Sequence, residues 1–111
     1  MEYIVILTTC ASKREALRIA EGLLKARLVA CANIMDTIDS RFWWKGKIDR
    51  AREALLVLKT AKSEFGRVEK AIKRLHSYEV PEIIALPVIG GSRKYLEWIR
   101  RETRSQSTET R

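Results

Sequence analysis

The first hydrophobic run, Tyr3 to Thr9 (YIVILTT), lacks polar alternation and is rich in β-branched residues, which predicts a strand covered on both faces. A different pattern opens at Ser12. Ala16, Leu17, Ala20, Leu23, Leu24 and Leu28 recur at helical spacing, with Lys13, Arg14, Arg18, Glu21 and Lys25 on the opposite face. Ser12 and Glu15 fit a capping box, so an amphipathic helix of about 15 residues begins there. Residues 29–39 return to strand character and run into Arg41-Phe42-Trp43-Trp44. Lys45-Gly46-Lys47 supplies a turn, and Ile48 followed by Ala54 to Thr60 forms the returning arm of a hairpin. Phe65, Val68, Ile72 and Leu75 mark a second helix, with Ser63 as its expected N-cap. His76 to Pro81 is a loop, because Pro81 disfavours helical backbone at Val80. Glu82 to Ile89 reads as a fourth strand, and Pro87 confines it to a sheet edge or a bulge. Gly90-Gly91 breaks it, and Ser92 caps a last helix carrying Tyr95, Leu96, Trp98 and Ile99.

The order β-α-β-β-α-β-α predicts an α+β fold: a ferredoxin-like β-α-β-β-α-β sandwich with a C-terminal helix and both long helices on one face of the sheet. The first and third strands are expected to lie parallel at its centre. One domain is expected over residues 1–104, with a polar tail at 105–111. The hairpin between the second and third strands is unusually long. Each arm has about 12 to 15 residues and reaches roughly 40 to 50 Å, whereas the outer strands have only about seven residues each. Its distal part therefore outruns the sheet and ends in Phe42-Trp43-Trp44. A free two-stranded ribbon is marginal in water, and exposed aromatics beside bare strand edges invite aggregation. Neighbouring subunits are expected to cover it.

Composition narrows the class. The 111 residues (12.8 kDa) are 46% hydrophobic and 32% charged, which excludes collagen-like, low-complexity and wholly disordered chains. Two cysteines supply neither a disulfide scaffold nor a four-cysteine zinc site. No apolar run approaches the roughly 20 residues that span a bilayer, so no membrane association is expected. The N-terminus has no basic region and no cleavage site, which points to the cytoplasm. A net charge of +8 raises the question of a polyanionic partner. Most of the basic residues, however, alternate with glutamates along the helices, and only Arg41, Lys45, Lys47, Arg50 and Arg52 cluster, around the hairpin. No nucleic-acid-binding motif accompanies them, so no specific nucleic acid is expected.

The chemistry is sparse. No nucleophile elbow, phosphate loop, dinucleotide fingerprint or zinc-protease motif is present, and no enzyme activity is expected. Glu15 reads as part of a capped, solvated helix and Glu53 as offset by its neighbour Arg52. His76 is the only histidine and a competent ligand for Cu²⁺ or Zn²⁺, with a second ligand to come from Cys10, Glu79, Glu82 or another subunit. Cys10 stands between a strand and a helix N-terminus, where a thiolate is favoured. Cys31, within VACAN, reads as an inert buried thiol.

Several segments, in order, carry a resemblance: Leu28-Val29-Ala30-Cys31-Ala32-Asn33, Trp43-Trp44-Lys45-Gly46-Lys47-Ile48, Leu58-Lys59-Thr60, Leu75-His76-Ser77-Tyr78-Glu79-Val80-Pro81-Glu82 and Tyr95-Leu96-Glu97-Trp98-Ile99. From Ile4 to about Thr103 the chain resembles the CutA family of divalent-cation-tolerance proteins. The resemblance implies a ferredoxin-like subunit in a stable homotrimer, shaped like the PII signalling proteins and paired between subunits through its long strands. It also implies a role in divalent-cation binding or tolerance, with copper or another divalent cation as ligand and no metal required for folding. The family's proposed copper-binding histidine falls on His76. Its strand-end cysteine falls on Thr8, with Cys10 two residues on; Ser77 stands where many relatives have proline, and Lys45 where many have glutamate. The expected metal set is therefore His76, Cys10 and Glu82. The expected intersubunit set is Trp43, Trp44, Lys59, Tyr78 and Trp98. Two alternatives remain: a PII-like trimer holding a small anionic ligand in its clefts, and a structural trimer with adventitious metal affinity. Three copies of a +8 chain would carry about +24, so any cation must be held by local ligands rather than by the overall field.

Overall fold

The computed structural model describes residues 2–103; the expected tail at 105–111 lies outside the described residues. Its elements are β1 (Tyr3–Cys10), α1 (Lys13–Lys25), β2 (Cys31–Trp44), β3 (Lys47–Ala61), α2 (Phe65–Leu75), β4 (Ile84–Pro87) and α3 (Arg93–Glu102), with a 3-10 turn at Lys62–Glu64. The fold is α+β, with one four-stranded sheet in the order β2-β3-β1-β4. Every neighbouring pair is antiparallel. The expected parallel pairing of the first and third strands is therefore wrong. Each helical crossover returns the chain parallel to the strand it left but one place further across the sheet, so β3 enters between β1 and β2 running the other way. The apolar run of β1 had a different origin. Ile4, Ile6, Thr8 and Cys10 are buried, while the residues between them are only half-buried, so both faces are apolar but unequally covered.

Local signals explain the element ends. The Ser12 hydroxyl accepts from the Glu15 N–H at 3.1 Å, as a capping residue should. The Glu15 carboxylate reaches back to the Ala11 N–H at 3.0 Å, one residue upstream of the expected box partner. Ser63 is not the cap of α2: it lies inside the 3-10 turn, and Glu64 occupies the N-cap position without a side-chain capping bond. Ser92 does stand at the N-cap of α3, but with its carbonyl accepting from the Leu96 N–H and no side-chain cap. Pro87 sits on an edge strand, where its missing N–H is tolerated.

The core lies between the sheet and the pair α1 and α2. Ile6, Leu56 and Leu58 from the sheet meet Ile19, Leu23, Val68 and Ile72 from the helices, all wholly buried. Ile99 of α3 is buried apart from that cluster. β1 ends opposite Ala54, and beyond that rung β3 pairs, among the described residues, with β2 alone. The remaining ribbon closes through Lys45 (φ 51°) and Gly46 (φ 78°), the two positive-φ residues of a tight primed turn. On it Trp43 is 73% exposed and Ile48 66%. A bulge in β2 lies between Asp36 and Ile38, where the ribbon leaves the body of the sheet.

Candidate metal centre

The loop that follows α2 brings His76 to the end of β1. Its imidazole is fully buried. Nε2 lies 2.7 Å from the Thr9 carbonyl oxygen, and Nδ1 accepts the Tyr78 N–H at 3.0 Å. Those partners assign the proton to Nε2, since a carbonyl can only accept. Glu15 enters from the first turn of α1. One carboxylate oxygen takes the Ala11 N–H, and the other takes the Ser77 N–H at 2.7 Å while lying 3.8 Å from His76 Nδ1. Burial alone would raise the Glu15 pKa; the hydrogen bonds from Ser77 and Ala11, with the imidazole close by, outweigh it and hold the carboxyl below its ordinary value.

Cys10 completes the group from the strand end, and it too is wholly buried. The thiolate expected from its place before α1 is not favoured. Burial, then the charges of Glu15 and Glu53, push the thiol up to about 12 and overcome the helix N-terminus. Cys31, by contrast, is half-buried rather than buried, with its thiol 3.7 Å from the Asn33 side-chain oxygen. Both cysteines are free.

Beside this group lies a second set of acids. The Tyr78 hydroxyl donates to Glu53 at 2.8 Å, so Glu53 is a buried acceptor on β3 and not a surface charge offset by Arg52. Burial, then the Glu53 charge, raises the Glu82 pKa above its ordinary value. Tyr78 is likewise held protonated, by burial and by its bond to Glu53.

One ligand atom each from Cys10, Glu15 and His76 lies within 4.8 Å of the other two. Thiol, carboxylate and imidazole together suit a soft or borderline divalent ion. Donors bound to one such ion at about 2.0 to 2.3 Å stand some 3 to 4 Å apart, so the 3.8 Å between His76 and Glu15 already fits. Ligation would require the Cys10 thiol to release its proton and the Tyr78 N–H to release Nδ1. Donor types and spacing fit a cation; the hydrogen bonds set its terms.

The matches to known proteins run along the whole of this framework. Residues 4–102 match the family model described as CutA1 divalent ion tolerance protein. The chain belongs to the CutA family. The divalent-cation tolerance protein CutA of Thermus thermophilus is 41% identical over 99 residues, covering 89% of this chain and 96% of that protein. The chloroplastic CutA 1 of rice is 42% identical over 101 residues, or 91% of this chain, and the chain spans only 57% of that relative's length. Among solved structures, the periplasmic divalent cation tolerance protein CutA of Archaeoglobus fulgidus superposes with a TM-score of 0.88 at 41% identity, covering 90% of this chain and 97% of that one.

In this CutA chain the expected residues occupy three places. His76 and Cys10 meet, joined by Glu15, while Glu82 lies outside that group and is coupled instead to Glu53. Trp43 and Trp44 are exposed at the end of the ribbon, opposite Ile48 and Lys47. Lys59 is half-buried in β3 opposite Cys31, and Trp98 in α3 packs its ring on Tyr95 at 5.4 Å. Glu15 is the residue that sequence reasoning missed. Its signal was the capping box itself, which turns a carboxylate back toward the strand end where Cys10 sits. No helix among the described residues is long and apolar enough to cross a membrane.

Proposed function

We propose that this chain acts in divalent-cation tolerance as the ferredoxin-like subunit of a homotrimer, and that it takes a soft or borderline cation, copper foremost, through Cys10, Glu15 and His76. The observation that carries this reading is the convergence of three different donors within 4.8 Å at the end of β1. Glu82 and Glu53 contribute negative charge beside the cation in an otherwise basic protein, and Glu82 is not a direct donor in this proposal. The homotrimer is supported by the ribbon, whose Trp43, Trp44 and Ile48 stay exposed among the described residues of one chain. Two free cysteines suit the reducing conditions of a cytoplasmic setting. The PII-like alternative draws on Lys59, Tyr78 and Trp98. It is disfavoured because the Tyr78 hydroxyl is committed to Glu53 and the Trp98 ring to Tyr95.

The test is calorimetric titration of the metal-free protein with Cu²⁺, and with redox-silent Zn²⁺ as a control, across pH. Binding near one equivalent per chain is expected, tightening by about tenfold per pH unit for each proton released. His76→Ala and Cys10→Ser should weaken it by at least about tenfold, and Glu82→Gln by less. Unchanged affinity and stoichiometry in His76→Ala would remove the cluster from the function.

A further inference from the structure

Cys10 and the His76 imidazole are wholly buried, and Glu15 nearly so. A cation reaches these donors only if part of the chain around them gives way. The loop between α2 and β4 is bonded to every part of the site. The Ser77 N–H is held by Glu15 at 2.7 Å, and the Tyr78 N–H by His76 Nδ1 at 3.0 Å. The Tyr78 hydroxyl is held by Glu53 at 2.8 Å, so this residue is fixed at its main chain and at its ring tip. All of these bonds lie within one chain, and they stand whatever covers that chain in an assembly.

The two imidazole nitrogens are not equivalent as ligands. A neutral ring carries one proton and one in-plane lone pair, on opposite nitrogens. Ligation through Nε2 would move the proton to Nδ1. That breaks the bond to the Thr9 carbonyl and sets two donors, Nδ1–H and the Tyr78 N–H, against each other. Ligation through Nδ1 keeps the Thr9 bond and gives up one hydrogen bond instead of two. Nδ1 is also the nitrogen that lies 3.8 Å from the Glu15 carboxylate. The Thr9 carbonyl then serves as the outer partner that orients a ligating imidazole. One lone pair cannot serve both the Tyr78 N–H and a cation.

We infer that Tyr78 is a latch on the cation site: its N–H competes with the cation for His76 Nδ1, its hydroxyl on Glu53 holds that N–H in place, and loading the site unseats the loop. The inference rests on the cation reading above and deepens it. Tyr78 is a positioning residue here and not a ligand. It works by differential binding, since the latched loop excludes the cation and the unlatched loop admits it.

His76 is the only histidine of the chain, so nitrogen-15 spectroscopy of the intact protein reads its two ring nitrogens without ambiguity. With Zn²⁺ the Nδ1 signal should move while Nε2 keeps its proton. Amide hydrogen exchange across residues 75–82 should quicken by at least about tenfold on saturation with Zn²⁺ or Cu²⁺. Tyr78→Phe loses the bond to Glu53. It should bind either ion about three- to tenfold more tightly, and its metal-free loop should already exchange faster than that of the wild type. Metallation at Nε2, unchanged loop exchange on loading, or a variant that binds no more tightly overturns the latch. The two wild-type measurements decide the matter should Tyr78→Phe not fold. Saturable binding with the loop unmoved removes the latch alone, whereas absence of saturable binding of both ions removes the cation reading with it.

Discussion

The two halves of β3 share one strand and one ladder yet live in different environments. From Ala54 to Ala61 the helix-facing side chains Ala54, Leu56, Leu58 and Thr60 are wholly buried. From Lys47 to Arg52 none is. The chain makes the same backbone hydrogen bonds to β2 in both halves. What differs is the neighbouring strand: β1 ends at the Ala54 rung, and beyond it, among the described residues, β3 pairs with β2 alone. Strand pairing alone therefore keeps residues in register without burying them. Polar groups divide the same way. At the body of the sheet Glu53 has the Tyr78 hydroxyl, and Glu15 has two backbone N–H groups. Along the ribbon Arg41 stands opposite Arg50, and Asp39 opposite Arg52.

The contrast breaks most sharply under substitution of large apolar residues. Leu58→Ala in the proximal half removes a fully buried side chain and should cost about 2 to 5 kcal/mol, read by urea unfolding. Trp43→Ala should act on association instead. Light scattering on the wild-type protein should give about three times 12.8 kDa, and the variant should shift toward a single chain while its far-ultraviolet circular dichroism is kept. A wild-type mass of one chain, or an unshifted variant, would show that the ribbon stands free.

A smaller effect sharpens the polar half of the comparison. Glu15→Gln disturbs the carboxylate that accepts the Ala11 and Ser77 N–H groups and should cost about 1 to 3 kcal/mol at neutral pH. The folded pKa of Glu15 lies below its ordinary 4.5, so its contribution is complete above that value and is lost as pH falls through the folded pKa. The gap between wild type and Glu15→Gln should therefore close on acidification below about 4.5 in unfolding experiments, and a gap independent of pH would contradict the assignment. The smallest effect belongs to the ribbon turn. Gly46 has φ of 78° and open space around it, so Gly46→Ala should cost only about 1 kcal/mol, from backbone conformation alone.

Much of the fold was legible in the sequence because its signals are local. The capping serine at Ser12, the tight turn at Lys45-Gly46, the edge position forced by Pro87 and the length of the hairpin arms all follow from residues close together in the chain. The errors were errors of context. Ser63 has the right chemistry for a cap but sits in a 3-10 turn. Cys10 stands before a helix, yet its thiol responds more to burial and to Glu15 and Glu53. Of the candidate site, His76 and Cys10 were readable as residue types. The roles of Glu15 and Glu53 were not, because they depend on hydrogen bonds from the loop after α2, Ser77 lying 62 residues from Glu15 and Tyr78 25 residues from Glu53.

By itself the sequence determined the order of elements, the hairpin that outgrows its sheet and the family to which the chain belongs, since each rests on periodicity, turn chemistry or matched segments. Only the tertiary structure decided the direction of β3 against β1, the joining of Glu15 to Cys10 and His76, and the shift that sets Arg41 against Arg50. The reason is common to all three. Each depends on contacts between residues distant in the chain, and in the last a bulge at Asp36 and Ile38 moves every later pair by one position without leaving a mark on the pattern of the residues themselves.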